Sequence, residues 1–327
     1  MENISLANPQ LILKGIIEIG NLRYLYSFVL IVMYVVVTAL CSIIVWVTYT
    51  EEALHEPMFI FLANLLFNEI YGGTVFGPKL ITDVLSVRYT ISFVDCLVQG
   101  FFMQGFPCVE MFTFTVMAYD RYLAIGHPLR YTILMTNKRA LMIIFAIWVY
   151  VLVGIGTCVI LTSRQTLCGV EINNVFCETI SLNHLSCGGT YSADFGFTWD
   201  FIMLVGCGLV VLYCYIRTFI VCFSISQDAS RKALHTLVTH MIAFSTFLAS
   251  FIFIISRYRL TEDAQTVLSH FVSSMPGSVS YILNPLIYGI RIEALRNKIL
   301  QKLCINKREI TDREKKLQKI QLSIQNN

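Results

Sequence analysis

The sequence predicts an all-α membrane protein, a bundle of seven transmembrane helices followed by a short amphipathic C-terminal helix. Three observations carry that prediction. The 327 residues are 56% hydrophobic and only 14% charged, where soluble domains carry about 25% charged residues. Charge is absent from long blocks, as a bilayer requires. Lys and Arg collect on alternate connecting segments, which is the charge asymmetry that orients membrane helices.

Residues 1–23 read as an N-terminal segment outside the membrane. They lack the basic start, apolar run and small-residue site of a cleavable signal, so the first apolar block is expected to act as the targeting signal. That block, 24–49, has no charge over 26 positions, enough to span with tilt at about 1.5 Å per residue. Further blocks follow at 57–82, 97–119, 140–163, 195–221, 233–256 and 265–290. The second is the least uniform, interrupted by Glu69, Gly72, Gly73 and Pro78. Helix breakers are tolerated where neighbouring helices satisfy the freed backbone groups. Residues 24–290 therefore form one seven-span domain.

Residues 291–306 read as a helix on the membrane surface. Ile292, Leu295, Ile299 and Leu300 recur at helical spacing, with Arg296, Lys298 and Lys302 between them. Cys304 is open to two readings, a palmitoylated anchor or an unmodified thiol. Residues 307–327 are charged and Gln-rich, a cytoplasmic tail. With the N-terminus outside, seventeen basic residues fall on the inner side and seven on the outer. The acidic first inner loop, with Glu51, Glu52 and Glu56, is an exception, but acidic residues weigh little in this rule. The Asn3-Ile4-Ser5 sequon then lies where glycosylation occurs. The expected location is the plasma membrane, multi-pass, with the C-terminus cytoplasmic.

Other classes are disfavoured. A net charge of +3 gives no nucleic-acid signature. The eleven cysteines include no CxxC pair and no Cys/His cluster of zinc-ligand spacing. Cys41, Cys108, Cys158, Cys207, Cys214 and Cys222 lie in apolar blocks and read as small buried hydrophobes. Cys96, Cys168, Cys177 and Cys187 flank loops and form a candidate disulfide set. No nucleophile–base constellation or phosphate loop suggests an enzyme. No pair of broken spans in matching halves suggests a transporter. The seventh span has no lysine for a retinal Schiff base.

One motif is more specific. The third span ends Met117-Ala118-Tyr119-Asp120-Arg121-Tyr122-Leu123-Ala124-Ile125, which resembles the signature of vertebrate odorant receptors, a branch of the rhodopsin-like G-protein-coupled receptors. Leu54-His55-Glu56-Pro57-Met58 resembles the family's second-span entry. Pro128-Leu129-Arg130-Tyr131 and Lys232-Ala233-Leu234 with Thr236 and His240 also match in order. So does Asn284-Pro285-Leu286-Ile287-Tyr288-Gly289-Ile290-Arg291. The resemblance covers about 20–305. Asn68 to Gly72 resembles fish-type members. The chain departs at Cys41 (Asn in most members), Glu69 (Asp), Gly126 and Leu237 (Cys), and Leu248 (Tyr).

The resemblance implies an odorant receptor that activates a stimulatory G protein and raises cyclic AMP; a related chemoreceptor outside olfaction is the alternative. It implies an activation switch of Asp120, Arg121, Tyr122, Tyr215, His240, Asn284, Pro285 and Tyr288. His240 reads equally as a packed, hydrogen-bonded histidine. Glu69 and Glu110 resemble a sodium site, the one ion implied; the other reading has both protonated. Cys96–Cys177 and Cys168–Cys187 are the implied disulfides. The ligand pocket is expected between the third, fifth, sixth and seventh spans. Helical counting gives Met103, Gln104, Pro107 and Cys108; Trp199, Asp200 and Met203; Phe251, Ile252, Ile255 and Arg259; and Ser274 and Gly277. Asp200 suits an amine and Arg259 a carboxylate, so the ligand is an amino acid, amine or carboxylic acid; both also read as solvated helix-end charges. Membrane lipid is the other expected partner.

Overall fold

The computed structural model describes residues 9–86, 89–187, 191–224, 226–257, 276–292 and 294–302. The apolar blocks form helices. After a short α1 (Lys14–Ile19) come α2 (Arg23–Thr50), α3 (Pro57–Leu85) and α4 (Phe93–Gly126). A short α5 (Pro128–Leu134) leads into α6 (Asn137–Ser163). A short α7 (Thr179–His184) precedes α8 (Tyr191–Cys222). Then follow α9 (Gln227–Arg257), α10 (Pro276–Arg291) and α11 over residues 294–302. Among the described residues, α2, α3, α4, α6, α8 and α9 contain stretches long and apolar enough to cross a membrane. α10 is the described part of a seventh span.

Local chemistry sets several helix starts. Pro57 and Pro128 occupy first-turn positions, where the missing N–H costs nothing. Ser92 caps α4, accepting from the Asp95 N–H at 3.1 Å and donating to Asp95 Oδ2 at 2.7 Å. Thr136 caps α6, accepting from the Arg139 N–H at 3.3 Å. The helices outrun the apolar blocks, because charge at a membrane edge does not break a helix. α4 begins four residues before its block and continues through Asp120 and Arg121.

α4 is the central helix and packs against α3, α6, α8 and α9. Half of its most apolar stretch is buried, against 22% for α2. Phe61, Leu62, Leu65, Phe114 and Tyr288 are fully enclosed. The outer faces remain apolar: Val35, Phe145, Val153 and Leu209 are each more than half exposed. A water-soluble monomer rarely shows so much contiguous apolar surface. The chain is a multi-pass membrane protein.

One end carries a small sheet that the helical reading did not anticipate. β1 (Gln10–Leu13), β2 (Thr90–Ser92) and β3 (Glu171–Ile172) pair in the order β2-β1-β3. β1 runs antiparallel to β2, with Leu11 opposite Ile91, and parallel to β3, with Leu13 opposite Ile172. Leu11, Leu13, Ile91 and Ile172 are buried with Val84, Val175 and the Cys96–Cys177 pair. Strands of two to four residues give too few alternations to register in a sequence.

At the opposite end α11 docks by chemistry the sequence displayed on both sides. Leu295 is fully buried, and Ile292 and Ile299 pack against the core. Lys298 and Lys302 each lie 3.0 Å from Glu51. Lys302 also bonds Thr50 Oγ1 and sits 4.7 Å over the Trp46 ring. Bonds from Lys298 and Lys302 hold the Glu51 carboxyl below its usual range. Part of the acidic first loop is thus a receptor for the basic helix.

Candidate functional site

A cavity of about 220 Å³ opens between the helices near the sheet end. Met103, Gln104, Pro107 and Cys108 line it from α4, Asp200 from α8 and Phe251 from α9. Phe176, Glu178, Thr179 and Ile180 cover it, held there by the Cys96–Cys177 disulfide. The second disulfide, Cys168–Cys187, ties the same loop to itself. A small adjoining pouch adds Met203, with Pro107, Cys108 and Asp200 shared by both spaces. The site is mostly apolar with a few converging polar groups, the usual composition of a small-molecule site.

The cavity extends further toward α2 and α3 than the sequence suggested. Met33, Tyr34, Gly72, Gly73 and Phe76 line that side. Glycines make the space. A Cβ on Gly72 would lie 2.4 Å from the Phe106 ring, and one on Gly73 would lie 2.3 Å from Tyr281 Oη. The paired glycines inside a membrane span were the available signal.

Two expected lining residues are corrected. Trp199 turns away and stacks on Tyr150 at 4.8 Å, pressed against Gly154 of α6. Ile252 is half exposed on the outer face of α9. Each is one residue from a true lining residue, Asp200 or Phe251, and one residue rotates the side chain by about 100°. Arg259 and Ser274 lie outside the described residues, as do the side chains of Ile255 and the position of Gly277 beyond its helical backbone. Asn3 lies outside them too.

Glu110 forms part of the cavity wall and belongs to a buried polar cluster. Asn284 Nδ2 donates to Glu69 Oε1 at 2.5 Å and to Glu110 Oε1 at 2.9 Å. Ser280 donates to Glu110 as well. All four residues are essentially enclosed. Among the described residues, Glu69 Oε2, Glu110 Oε2 and Asn284 Oδ1 have no hydrogen-bond partner. The cluster joins α3, α4 and α10 beside Pro285, which supplies no backbone donor to its own helix.

Farther along the same helices, Arg121 pairs with Asp120. Nη2 and Nε approach one oxygen, Oδ2, at 2.6 and 3.1 Å. Tyr131 of α5 donates to the other oxygen at 2.8 Å. Burial, reinforced by Asp120, pushes the Tyr131 hydroxyl above its usual range, so it remains a donor. His240 Nδ1 lies 3.1 Å from Tyr288 Oη, linking α9 to α10 in the core. Tyr215 packs on the same core, while Tyr122 bonds His127 at 3.1 Å.

A family model described as olfactory receptor matches residues 30–306. The chain belongs to the olfactory receptor family. Olfactory receptor 4E1 of Homo sapiens is 32% identical over 296 residues, 88% of this chain and 90% of its own length. Olfactory receptor 4E2 of Mus musculus is 33% identical over 262 residues, 78% of this chain and 82% of its own. Squid rhodopsin shares the fold at a TM-score of 0.70 and 17% identity, covering 86% of this chain and 85% of that one. This olfactory receptor is a seven-helix receptor and not an enzyme. Its Cys41 is a fully buried core residue.

Proposed function

We propose that this olfactory receptor binds a small-molecule odorant in the cavity at the sheet end and activates a stimulatory heterotrimeric G protein at the opposite end, raising cyclic AMP. The observation that carries this reading is Glu110. It belongs both to the cavity wall and to the cluster joining α3, α4 and α10. A ligand that prefers one arrangement of these helices shifts the population of the other end. The sheet end faces outward in this reading, because disulfides form in oxidising compartments and the basic residues favour an inner C-terminus. The amino acid, amine and carboxylic acid classes are all tested by the odorant panel. The Asn68–Gly72 run supports a fish-type member. Its Asn68, Tyr71 and Gly72 all serve α4: Asn68 bonds the Phe106 carbonyl, Tyr71 the Phe102 carbonyl, and Gly72 admits the Phe106 ring.

Cells expressing the full chain with an N-terminal epitope test the reading. Intact cells are expected to bind the antibody, and at least one member of an odorant panel is expected to raise cyclic AMP. Labelling only after permeabilisation, or odorants that bind without any rise, would overturn it.

Sodium fits the polar cluster. The unpartnered oxygens of Glu69, Glu110 and Asn284 are hard donors of the kind such cations take. A cation held there lets both carboxylates ionise together. Exchanging sodium for N-methylglucamine in washed membranes is expected to shift agonist potency at least threefold. Glu69→Gln with Glu110→Gln should erase that shift. Unchanged potency in the wild type would favour shared protons instead.

A further inference from the structure

The described wall of the ligand cavity carries charge of one sign. Asp200, Glu178 and Glu110 line it, and no described Lys, Arg or His does. The three acids differ in what they have available. Glu178 accepts from Asn174 Nδ2 at 2.6 Å. Glu110 is fully buried and engages Ser280 and Asn284 through Oε1, leaving Oε2 without a partner among the described residues. Asp200 has the Gln104 amide as its side-chain partner, and no described cation acts on it. Gln104 is itself oriented, accepting from Thr179 Oγ1 at 3.4 Å.

Asp200 sits where the main cavity meets the pouch. Phe247 and Phe251 line both spaces, their rings 6.0 Å apart and 18° from parallel. A carboxylate removed from water requires a cation or a proton. Aromatic rings beside it favour the cation, through attraction between the charge and the ring faces. A ligand carboxylate would instead meet three acids. The zwitterion reading needs Arg259, which lies outside the described residues.

We infer that the ligand of this cavity is a protonated amine with an apolar body, its ammonium group held by Asp200 beside Gln104, Phe247 and Phe251. The inference rests on the receptor reading above for its signalling readout, and on the cavity alone for binding. The cavity lies below the usual range of about 300–1,000 Å³ for drug-sized ligands, so the amine is small. Met103, Phe106 and Phe176 offer its carbon skeleton an apolar wall.

Two triplets test this: hexylamine, hexanol and hexanoic acid, and 2-phenylethylamine, 2-phenylethanol and 3-phenylpropanoic acid. Each is measured by cyclic AMP in cells expressing the full chain, and by thermal stabilisation of the purified receptor. Amines are expected to act in both assays, alcohols to be at least tenfold weaker, and acids to be inert. Asp200→Asn should raise the half-maximal amine concentration at least tenfold, and Asp200→Glu should restore it to within threefold. The wild-type comparison needs no variant, so it holds even where Asp200→Asn fails to reach the surface. Amines that stabilise the receptor through Asp200 without raising cyclic AMP support the ligand class and defeat the coupling. Alcohols or acids that match the amines, or amines indifferent to Asp200→Asn, overturn the inference and leave the receptor reading standing.

Discussion

Arg121→Ala is expected to abolish odorant-stimulated cyclic AMP while the receptor still reaches the cell surface. The reason lies in how Asp120 is held. Adjacent residues on a helix do not face each other, so Arg121 must bend back to meet Asp120. It reaches only Oδ2, with both nitrogens on one oxygen. This forgoes the parallel two-oxygen fork that makes an Arg–carboxylate pair strong. The other oxygen keeps the Tyr131 hydroxyl. Removing the guanidinium therefore leaves the buried carboxylate with a donor, and the fold survives. It also removes the cation that the proposed switch would turn toward a protein partner. Surface labelling with cyclic AMP checks both halves; full signalling by the variant would remove Arg121 from the switch.

The same geometry ranks a second substitution. Tyr131→Phe deletes one hydrogen bond to a charged acceptor, worth about 1.5–3 kcal/mol. If that bond exists only in the resting arrangement, its loss moves the equilibrium toward activity. Each 1.4 kcal/mol is about tenfold in an equilibrium constant. Basal cyclic AMP is expected to rise about tenfold. A basal level equal to the wild type would place the Tyr131 bond in both states.

The parts of this receptor that read well from sequence are those with long period or strong local chemistry. Long charge-poor apolar blocks revealed the spans, because the bilayer penalises polar groups over the whole length of a helix. The Asp120-Arg121-Tyr122 and Asn284-Pro285 segments were legible because motif order carried them. The sheet was not, since Leu11, Ile91 and Ile172 come from three distant segments whose pairing no local pattern encodes. The cavity was half legible. Of the residues that helical counting named, Gln104 and Asp200 line the cavity, while Trp199 and Ile252 each sit one position away from a lining residue and turn outward. Its α3 side was missed because Gly72 and Gly73 have no side chains to suggest a lining. Their role is the space they leave for Phe106 and Tyr281.

Asn284→Leu is expected to have the largest effect on folding. Its amide is the shared donor to two buried carboxylates that face one cluster. Leucine keeps the same branched side-chain skeleton without polar atoms, so the main loss is one of polar satisfaction. Hydrogen bonds to charged groups are worth about 1.5–3 kcal/mol each, and two are lost together. Glu110 keeps Ser280; the bond from Asn284 is the one side-chain donor to Glu69 among the described residues. Whole-domain stabilities are about 5–15 kcal/mol, so the deficit is a substantial fraction, and surface receptor is expected to fall at least tenfold. Adding Glu69→Gln to Asn284→Leu removes the charge that needed the donor and supplies an amide to Glu110. That double variant should recover most of the surface population. Equal surface levels in the wild type and Asn284→Leu would show that the carboxylates carry protons that satisfy each other. Poor recovery in the double variant would instead place the role of Asn284 in its packing beside Pro285.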